Sequence, residues 1–396
     1  MTTIIGVKKQ YAMQSNNKVR LFFAGDFCSK PSTSLIMPSE ELKTLLASCD
    51  CRIINFEVPL KPSVNLPERK EERFFQNDDA PSFLRGLGFD LFTIANNHTF
   101  DWGEAGYQKT KAALGESSFG AGTYDEAYKV KEVVIKGVRI GFLALSYAVY
   151  TWPLQDTDVR EGLGCAYIND LKVNHIILEA KKSLDYLFVL PHDGIEYIDA
   201  PMPETIARYR DLIDYGADGV FAAHPHCPQG WEYYKGKPIF YSLGNFFFNS
   251  KNDVSYRALN RPHWYEGRCV VVSIEQDHIS CEVVNTRNVD NIAIEIDHSS
   301  ESMDHNKYVC DLLTNKQAYN DYLSPIMRNQ AKFDISTITA LSQPTTITQV
   351  LKAIKNIVLH HKRESLQESN ILLYIFLNDL RRARMLRVLS GKIKVN

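Results

Sequence analysis

The chain has 396 residues and a formal net charge of −2, and 44% of its residues are hydrophobic and 23% charged. These values are typical of a globular protein and give no reason to expect binding to nucleic acid. No apolar run reaches the roughly 18–20 residues of a membrane-spanning helix, and the first twenty residues lack the apolar segment of a signal peptide. Because the eight cysteines are scattered along the chain, we expect reduced thiols and a cytoplasmic protein.

Short apolar runs alternate with amphipathic stretches from about residue 20 to residue 250. The runs predict strands at 20–25, 51–56, 89–95, 138–147, 184–190, 218–223 and 237–243. Helices are predicted at 38–49, 79–88, 102–115, 169–184 and 202–216. This alternation predicts an α/β fold, and the nearly continuous apolar character of the runs indicates strands covered on both faces. Residues 268–287 predict a hairpin that extends the sheet.

The pattern changes after residue 296. Residues 297–307 are polar and predict a linker, and the remainder to residue 396 is mostly helical in pattern. We therefore divide the chain into an N-terminal tail (1–19), a catalytic domain (20–296) and a C-terminal extension (297–396). From residue 345 the extension has ten basic and three acidic residues. It could pack on its own domain, attach to an anionic membrane surface, or dock to a partner, including a second copy of the chain.

Metal-binding residue types follow six of the predicted strands. They are Asp26; Asn55 and Glu57; Asn96, Asn97 and His98; His192 and Asp193; His224 and His226; and Asn245. Ligands of α/β sheets bind beyond the carboxyl ends of strands, so we expect these side chains to converge on one cleft. We expect the "HPH" segment to be extended, so that its two imidazoles project from the same side of the chain, where they could serve neighbouring metals. The mixed nitrogen and oxygen set suits Mn, Fe or Zn, and a pair of such ions is common in phosphoester hydrolysis.

Six motifs together carry a family resemblance. They are "GD" (25–26), "NFE" (55–57), "ANNHTFDWG" (95–103), "PHDGIEY" (191–197), "AAHPHCPQG" (222–230) and "YSLGNF" (241–246). In this order they resemble the poly-γ-glutamate capsule biosynthesis (CapA-like) family, a branch of the calcineurin-like metallophosphoesterases. The resemblance covers roughly residues 20–250. It implies a four-layer fold in which two packed sheets are flanked by helices, with the mainly helical C-terminal extension outside it.

The resemblance also implies roles for individual residues. One divalent ion would be held by Asp26, Glu57 and His226, and a second by Asn97, His192 and His224, with Glu57 bridging the two. Mn²⁺ is the expected ion, with Fe or Zn as alternatives. His98 would protonate the leaving alkoxide, and Asp101 would orient His98. Glu196 and Asn245 also match motif positions, and together with Asn55, Asn96 and Asp193, which lie at or next to strand ends, they are predicted to support the ligands or bind substrate.

Simpler roles are open for several of these residues. Carboxylates that follow strands often cap the next helix, and Asp101 could merely start a helix at Trp102. Cys28 stands where the wider superfamily has histidine, and it could be a thiolate ligand or a small buried residue. The remaining histidines are predicted to be surface or core residues: His175, His263, His278, His298, His305, His360 and His361.

The sequence therefore favours a metal-dependent phosphoesterase in the synthesis of a capsule or another surface polymer. Its substrate could be a phosphorylated sugar, a glycan phosphate or a phosphodiester intermediate. The alternative is an accessory factor that binds metal or polymer without hydrolysing an ester, for which a membrane anchor would be expected. A third hypothesis, a non-catalytic scaffold, predicts that ligands are missing. The oligomeric state is left open.

Overall fold

The computed structural model describes residues 18–29, 36–64, 73–147, 162–249, 263–276 and 278–328. The strands are β1 (Val19–Cys28), β2 (Met37–Pro38), β3 (Cys51–Phe56), β4 (Leu91–Thr93), β5 (Ser118–Phe119), β6 (Ala121–Gly122), β7 (Lys131–Ile135), β8 (Val138–Ser146), β9 (Gly164–Cys165), β10 (Tyr186–His192), β11 (Gly219–Phe221), β12 (Trp231–Tyr234), β13 (Lys237–Phe240), β14 (Asn245–Phe248), β15 (Glu266–Glu275), β16 (His278–Val289) and β17 (Ala293–Ile296). The helices are α1 (Glu40–Ala47), α2 (Ala80–Gly86), α3 (Gly103–Leu114), α4 (Tyr124–Ala127), α5 (Leu171–Ala180), α6 (Pro203–Asp214) and α7 (Ser300–Thr314), and residues 316–328 are also helical.

Most of these strands belong to two large sheets. The first has the order β2-β17-β16-β15-β1-β3-β4-β5, and β14 pairs with the end of β1. The second has the order β12-β13-β11-β10-β8-β7. The central strands are parallel, as β1 is to β3 and β14, and as β10 is to β8 and β11. Parallel strands end at the same edge of a sheet, so the residues that follow them are brought together.

Phenylalanine side chains fill the space between the two sheets. Phe23 of β1 stacks on Phe221 of β11 at a ring-centroid distance of 4.1 Å, and its ring lies 5.5 Å from that of Phe188 on β10. Helices α1, α2 and α3 contribute buried residues to the core of the first sheet, whereas α5 and α6 cover the outer face of the second. The resulting order of helices, sheet, sheet and helices confirms the predicted four-layer fold.

The apolar runs located the main elements correctly. Each of the seven predicted strand segments contains a strand, and each of the five predicted helical segments contains a helix. The predicted hairpin is formed by β15 and β16, and β15 pairs antiparallel with β1. Strands β7, β12 and β17 were not predicted, because they have only four or five residues and some positions are partly exposed.

Most of the polar stretch predicted as a linker, residues 297–307, is instead helical. Helix α7 begins at Ser300, because the side chain of Ser299 accepts a hydrogen bond from the Ser302 amide. Polar residues of this helix are used in packing, since Asn306 Nδ2 donates to Asn285 Oδ1 at 2.9 Å. The polarity of the segment therefore reflects a hydrogen-bonded interface with β16.

Parts of the predicted domain division lie outside the described residues, namely most of the N-terminal tail and the basic segment after residue 345. The division itself and the three uses of that basic segment stay predictions. Among the described residues, no helix has the length and apolar content required to cross a membrane. All eight cysteines are described, and no disulfide joins them.

The packing between the sheets makes Phe23 a test of the fold. We expect Phe23→Ala to lower the free energy of unfolding by about 3–5 kcal/mol, because removing the ring leaves a cavity next to Phe221 and Phe188. Phe23→Leu should cost less, since it leaves a smaller cavity. Urea unfolding followed by circular dichroism measures both, with the exposed Val134→Ala as control. A Phe23→Ala protein as stable as the control would contradict this account of the core.

Candidate metal centre

Two parallel strand pairs place Asp26 at the centre of the site. Its Cα pairs with Asn55 of β3 on one side and with Asn245 of β14 on the other. Glycines allow this close approach: a Cβ atom on Gly25 would lie 1.9 Å from the Gly244 carbonyl oxygen, to which the Asp26 amide donates at 2.9 Å. Gly244 has φ of +65°, which glycine adopts without strain. The "GD" and "GN" pairs of the sequence thus bring Asp26 and Asn245 together.

Asp26, Glu57 and His226 form a buried group. Each offers one ligand atom, and these atoms all lie within 4.8 Å of one another. Nδ1 of His226 lies 3.6 Å from Asp26 Oδ2, and its Nε2 lies 3.3 Å from Glu57 Oε1. The structure therefore brings together the three residues predicted for the first ion.

The carboxylate of Glu57 is buried, and neither of its oxygens has a hydrogen-bond partner among the described residues. Its Oε1 lies between two imidazoles, 3.3 Å from Nε2 of His226 and 3.8 Å from Nε2 of His192. Burial, followed by the charge of Asp26 and other nearby carboxylates, raises the pKa of Glu57 well above its usual value. A cation against these oxygens would offset the cost of their burial.

A second group meets at Nε2 of His192. This nitrogen lies 2.8 Å from Oδ1 of Asn97 and 3.2 Å from Nδ1 of His224. With the Glu57 oxygen at 3.8 Å, two ring nitrogens, an amide oxygen and a carboxylate oxygen face one another. These are the residues predicted for the second ion, and Glu57 lies beside both groups.

The "HPH" segment is not extended, so that prediction was wrong. Strand β11 ends before the segment, and His224 and His226 have φ angles of +102° and +56°. This left-handed backbone is strained for residues with a side chain. It places the His224 ring 4.7 Å from that of His192 and turns His226 towards Asp26. The His224 amide donates to Asp26 Oδ2 at 3.0 Å, which helps to hold the strained conformation.

Burial keeps two of these imidazoles neutral. It lowers the pKa of His192, although the Asp26 carboxylate 3.6 Å from its Nδ1 opposes this, and it lowers the pKa of His224 well below the usual value. For Asp26, burial opposes the charged form, but contacts with His192, His226 and Asn55 outweigh it and lower the pKa. Neutral imidazole and ionised carboxylate are the forms that bind metal ions.

His98 is held by Asp101 beside these two groups. Its Nδ1 lies 3.0 Å from Asp101 Oδ2, and the ring of Phe74 packs against it edge-on at 5.0 Å. Asp101 Oδ2 also accepts the Phe74 amide at 3.0 Å. The helix-cap alternative is not supported, because the N-cap position of α3 is Trp102 and no side chain caps that helix. The Asp101 carboxylate therefore contacts Nδ1 of the imidazole, and Nε2 is directed away from it.

Asn55 and Asn96 hold the ligands in place. Asn55 Nδ2 donates to Asp26 Oδ1 at 2.6 Å and lies 3.1 Å from Nδ1 of His192. Asn96 Nδ2 donates to Asn55 Oδ1 at 3.3 Å and to the Phe56 carbonyl at 3.1 Å. Asn96 thus supports Asn55, which in turn orients a carboxylate and an imidazole.

Sequence reasoning missed an aromatic wall around His226. Tyr197 stacks on its ring at 5.9 Å, and the rings of Trp264 and Phe248 lie 5.0 and 5.1 Å away. Asn245 completes this environment, because its Oδ1 lies 2.9 Å from Nδ1 of His226 and its Nδ2 donates to the Trp264 carbonyl at 2.9 Å. Only Tyr197 carried a signal in the sequence, since it ends the "PHDGIEY" motif.

The two acids of "PHDGIEY" lie in different environments. Glu196 places an oxygen within 4.8 Å of ligand atoms of His224 and His226, which makes it a further candidate ligand. Asp193 is buried, and its charge adds to burial in raising the pKa of Tyr209 on α6. None of the ligand groups found among the described residues includes Asp193.

Cys28 is a packing residue in this structure. It is fully buried in an apolar cluster with Val58, Phe248 and Trp264. No ligand group in the described ranges contains it. The structure therefore favours the simpler of its two predicted roles.

The residues present fit a pair of divalent ions that share one carboxylate. Neutral imidazoles, an amide oxygen and carboxylates form a nitrogen and oxygen set typical of Mn, Fe and Zn sites. The unpartnered oxygens of Glu57 lie beside both groups, as a bridging ligand requires. The fit rests on this donor set and on the unsatisfied buried carboxylate.

Solved structures resemble the fold at low sequence identity. The 5′-nucleotidase of Candida albicans has a TM-score of 0.40 and 10% identity, and the alignment covers 67% of this chain and 50% of that one. The sulfate thiohydrolase SoxB of Thermus thermophilus has a TM-score of 0.39 and 10% identity, with 69% and 57% covered. A purple acid phosphatase from yellow lupin has a TM-score of 0.34 and 10% identity, with 72% and 54% covered.

Sequence relatives have names that refer to capsules and polymers. The capsule biosynthesis protein CapA of Bacillus anthracis is 31% identical over 206 residues, which is 49% of either chain. The PGA biosynthesis protein CapA of Bacillus subtilis is 31% identical over 204 residues, 49% of this chain and 52% of the relative. A probable polyglutamine synthesis accessory protein of Mycobacterium tuberculosis is 29% identical over 212 residues, with 50% and 55% covered. The chain thus spans about half the length of these relatives.

A family model described as "Bacterial capsule synthesis protein PGA_cap" also matches the chain. It covers residues 13–250, which is more than half of the chain and includes every predicted ligand. The six motifs that carried the resemblance lie within this range, and five of them contribute residues to the two ligand groups. This chain belongs to the PGA_cap family of bacterial capsule synthesis proteins.

Proposed function

We propose that this chain is a metal-dependent phosphoester hydrolase that acts in the synthesis of a bacterial capsule or another surface polymer. The observation that carries the proposal is the convergence of two ligand groups on the unpartnered carboxylate of Glu57. Family membership supports the capsule role, and the ligand chemistry supports hydrolysis of an ester. The substrate is a phosphorylated glycan or a related phosphoester, either a monoester or a diester.

Two divalent ions would occupy the centre, with Mn²⁺ the expected metal and Fe or Zn the alternatives. Asp26 and His226 would hold one ion, and His192, His224 and Asn97 the other. Glu57 would be shared between them. Such ions, when bound, stabilise negative charge on phosphoryl oxygens and lower the pKa of water.

The protein's own contribution to bond cleavage would come mainly from His98. Its Nδ1 faces Asp101 at 3.0 Å, so Nε2 is the nitrogen that can deliver a proton to the leaving oxygen. The side chain of His98 is 18% exposed, whereas that of Asp101 is 9% exposed, so a substrate can reach the imidazole first. Asp101 would act by holding the ring in this orientation.

The accessory-factor hypothesis has support from one relative's name, which describes an accessory protein of polymer synthesis. In that role the same groups would bind metal or polymer without cleaving an ester. The scaffold hypothesis has less support, because the predicted ligand positions of the described residues are all filled by side chains that can bind metal. Location in the cytoplasm is part of our proposal and rests on the eight cysteines, among which there is no disulfide.

The first test is metal content together with hydrolysis. Purified protein supplied with Mn²⁺, Fe²⁺ or Zn²⁺ should bind metal and hydrolyse p-nitrophenyl phosphate or bis-p-nitrophenyl phosphate. We expect Asp26→Asn and His226→Ala to lower metal affinity at least about 10–100-fold, and activity with it, because each removes a ligand. Metal analysis by mass spectrometry and steady-state assays measure these effects, and the exposed His278→Ala serves as control.

The outcomes separate the hypotheses. Metal binding without hydrolysis of either ester, under all three metals, would favour the accessory factor. Folded protein that binds no metal would rule out both the hydrolase and a metal-binding accessory role. Activity that survives in His226→Ala would contradict the ligand assignment while leaving hydrolysis itself intact.

The second test concerns proton donation by His98. We expect His98→Gln to lower kcat by about 10²–10⁴-fold on an alkyl phosphate, because its leaving group needs a proton. The loss should be smaller on p-nitrophenyl phosphate, whose leaving group is a weak base. Asp101→Asn should have the same substrate dependence with a smaller loss. The amount of bound metal should stay the same in both variants. An equal loss of kcat on the two substrates would contradict the acid role of His98.

A further inference from the structure

A second group of metal-binding residue types lies outside the centre described above. Asp199 is in the segment between β10 and α6, His263 and Glu266 lie around the start of β15, and His305 is on α7. Asp199, His263 and His305 each offer one ligand atom, and these atoms all lie within 4.8 Å of one another. The group shares no residue with the first centre, and the three segments are far apart in sequence.

Glu266 fixes both imidazoles in the same orientation. Its Oε1 lies 3.0 Å from Nδ1 of His263, and its Oε2 lies 2.8 Å from Nδ1 of His305. The rings stack at a centroid distance of 3.5 Å with an angle of 9° between their planes. Each carboxylate oxygen therefore lies within hydrogen-bond distance of one ring nitrogen and accepts from it.

This orientation turns the two Nε2 atoms away from Glu266. His305 is 7% exposed, and its Nε2 is buried without a hydrogen-bond partner in the part of the chain that the structure describes. In a neutral imidazole whose Nδ1 carries the proton, Nε2 has the free lone pair. A buried ring nitrogen that lacks a partner and lies beside a second imidazole and a carboxylate has the environment of a metal ligand whose ion is not bound.

We propose that Asp199, His263 and His305 bind a divalent transition-metal ion, Zn²⁺ by preference, with Glu266 orienting the two histidines. Zn²⁺ is commonly bound by His and Asp side chains in four-coordinate sites. A carboxylate that accepts the other ring N–H of a ligating histidine is a recurrent arrangement around zinc. Glu266 makes this contact with both rings at once, so the three ligands and their support are all present.

The ion would join three parts of the fold that lie close to the aromatic residues around His226. It would tie α7 to the start of β15 and to the segment that holds Asp199. Trp264 follows His263 directly and packs on His226 at 5.0 Å, and Tyr197, two residues before Asp199, stacks on the same ring at 5.9 Å. We infer a structural role, in which the second ion supports the aromatic wall of the first centre.

The competing account is a buried ion pair without metal. One imidazole would then be protonated, and Glu266 would be its counterion. In that account Nε2 of His305 needs no ligand, and Asp199 contributes only its negative charge, which favours a protonated His263. It predicts that zinc binding does not depend on these residues, so metal stoichiometry separates the two accounts.

The test uses the full chain with its first centre disabled by His192→Ala and His226→Ala. After dialysis against Zn²⁺ and removal of free metal, we expect about one zinc per chain. Adding His305→Gln should reduce this to below about one fifth, whereas adding the exposed His298→Gln should leave it unchanged. Co²⁺ in place of Zn²⁺ should give visible absorption typical of a four-coordinate site, and His305→Gln should abolish it. Circular dichroism shows whether each variant is folded.

A second measurement keeps the proposal testable if the double variant fails to fold. In the otherwise unchanged chain, His263→Ala should bind one zinc fewer than the parent, and the first centre should keep its metal. Saturating Zn²⁺ should raise the melting temperature of the parent by about 5 °C more than that of His263→Ala, because an ion that binds only the folded state stabilises it. Equal stoichiometry in parent and variant, or a folded double variant that binds no zinc, would overturn the proposal.

Discussion

The Glu57 carboxylate is removed from water and accepts no hydrogen bond, so the fold around it must offset the cost of a buried charge. That cost is several kcal/mol in a protein interior. Neighbouring His192 and His224 do not supply a compensating positive charge, because burial lowers the pKa of both. The bare protein can protonate Glu57, as its raised pKa indicates. The arrangement is therefore costly without metal and would be stabilised most by divalent ions, which would couple metal binding to stability.

Asp26 links the candidate metal ligands to the pairing of the strands. Its backbone lies between β3 and β14, and its carboxylate accepts the amide of His224, where the backbone is left-handed. A positive φ in a residue with a side chain costs about 1–3 kcal/mol and persists only where the surroundings determine it. The close approach of Gly25 and Gly244 sets the position of Asp26, and Asp26 in turn holds His224. The conformation of the "HPH" segment thus depends on strand pairing in the other sheet.

The sequence predicted those features of the fold and the site that depend on the local pattern of apolar and polar residues. Buried parallel strands give continuous apolar runs, and polar residues at their ends predicted that the ligands would converge. The backbone of His224 could not be predicted, because it is set by contacts with Asp26, 198 residues away along the chain. The partnership of His98 and Asp101 was predicted from the family resemblance, but its competitor, a helix cap, was dismissed only by geometry. His263 and His305 had no visible partners in the sequence, because the fold alone brings them to Glu266.

The contacts of α7 show why the helix belongs to the same physical unit as the ligand-bearing strands. Arg268 of β15 is fully buried and donates to the Gln229 carbonyl and to Asn306 of α7. Burial lowers the pKa of Arg268 to about 10, yet the guanidinium remains charged at neutral pH and needs these acceptors. Displacing α7 would leave a buried cation without one of its partners and would also remove His305 from Glu266. Gln229 lies three residues after His226, and its carbonyl accepts a hydrogen bond from the same Arg268 that donates to Asn306 of α7. The position of α7 is therefore linked to the candidate metal centre through Arg268 and the short segment 226–229.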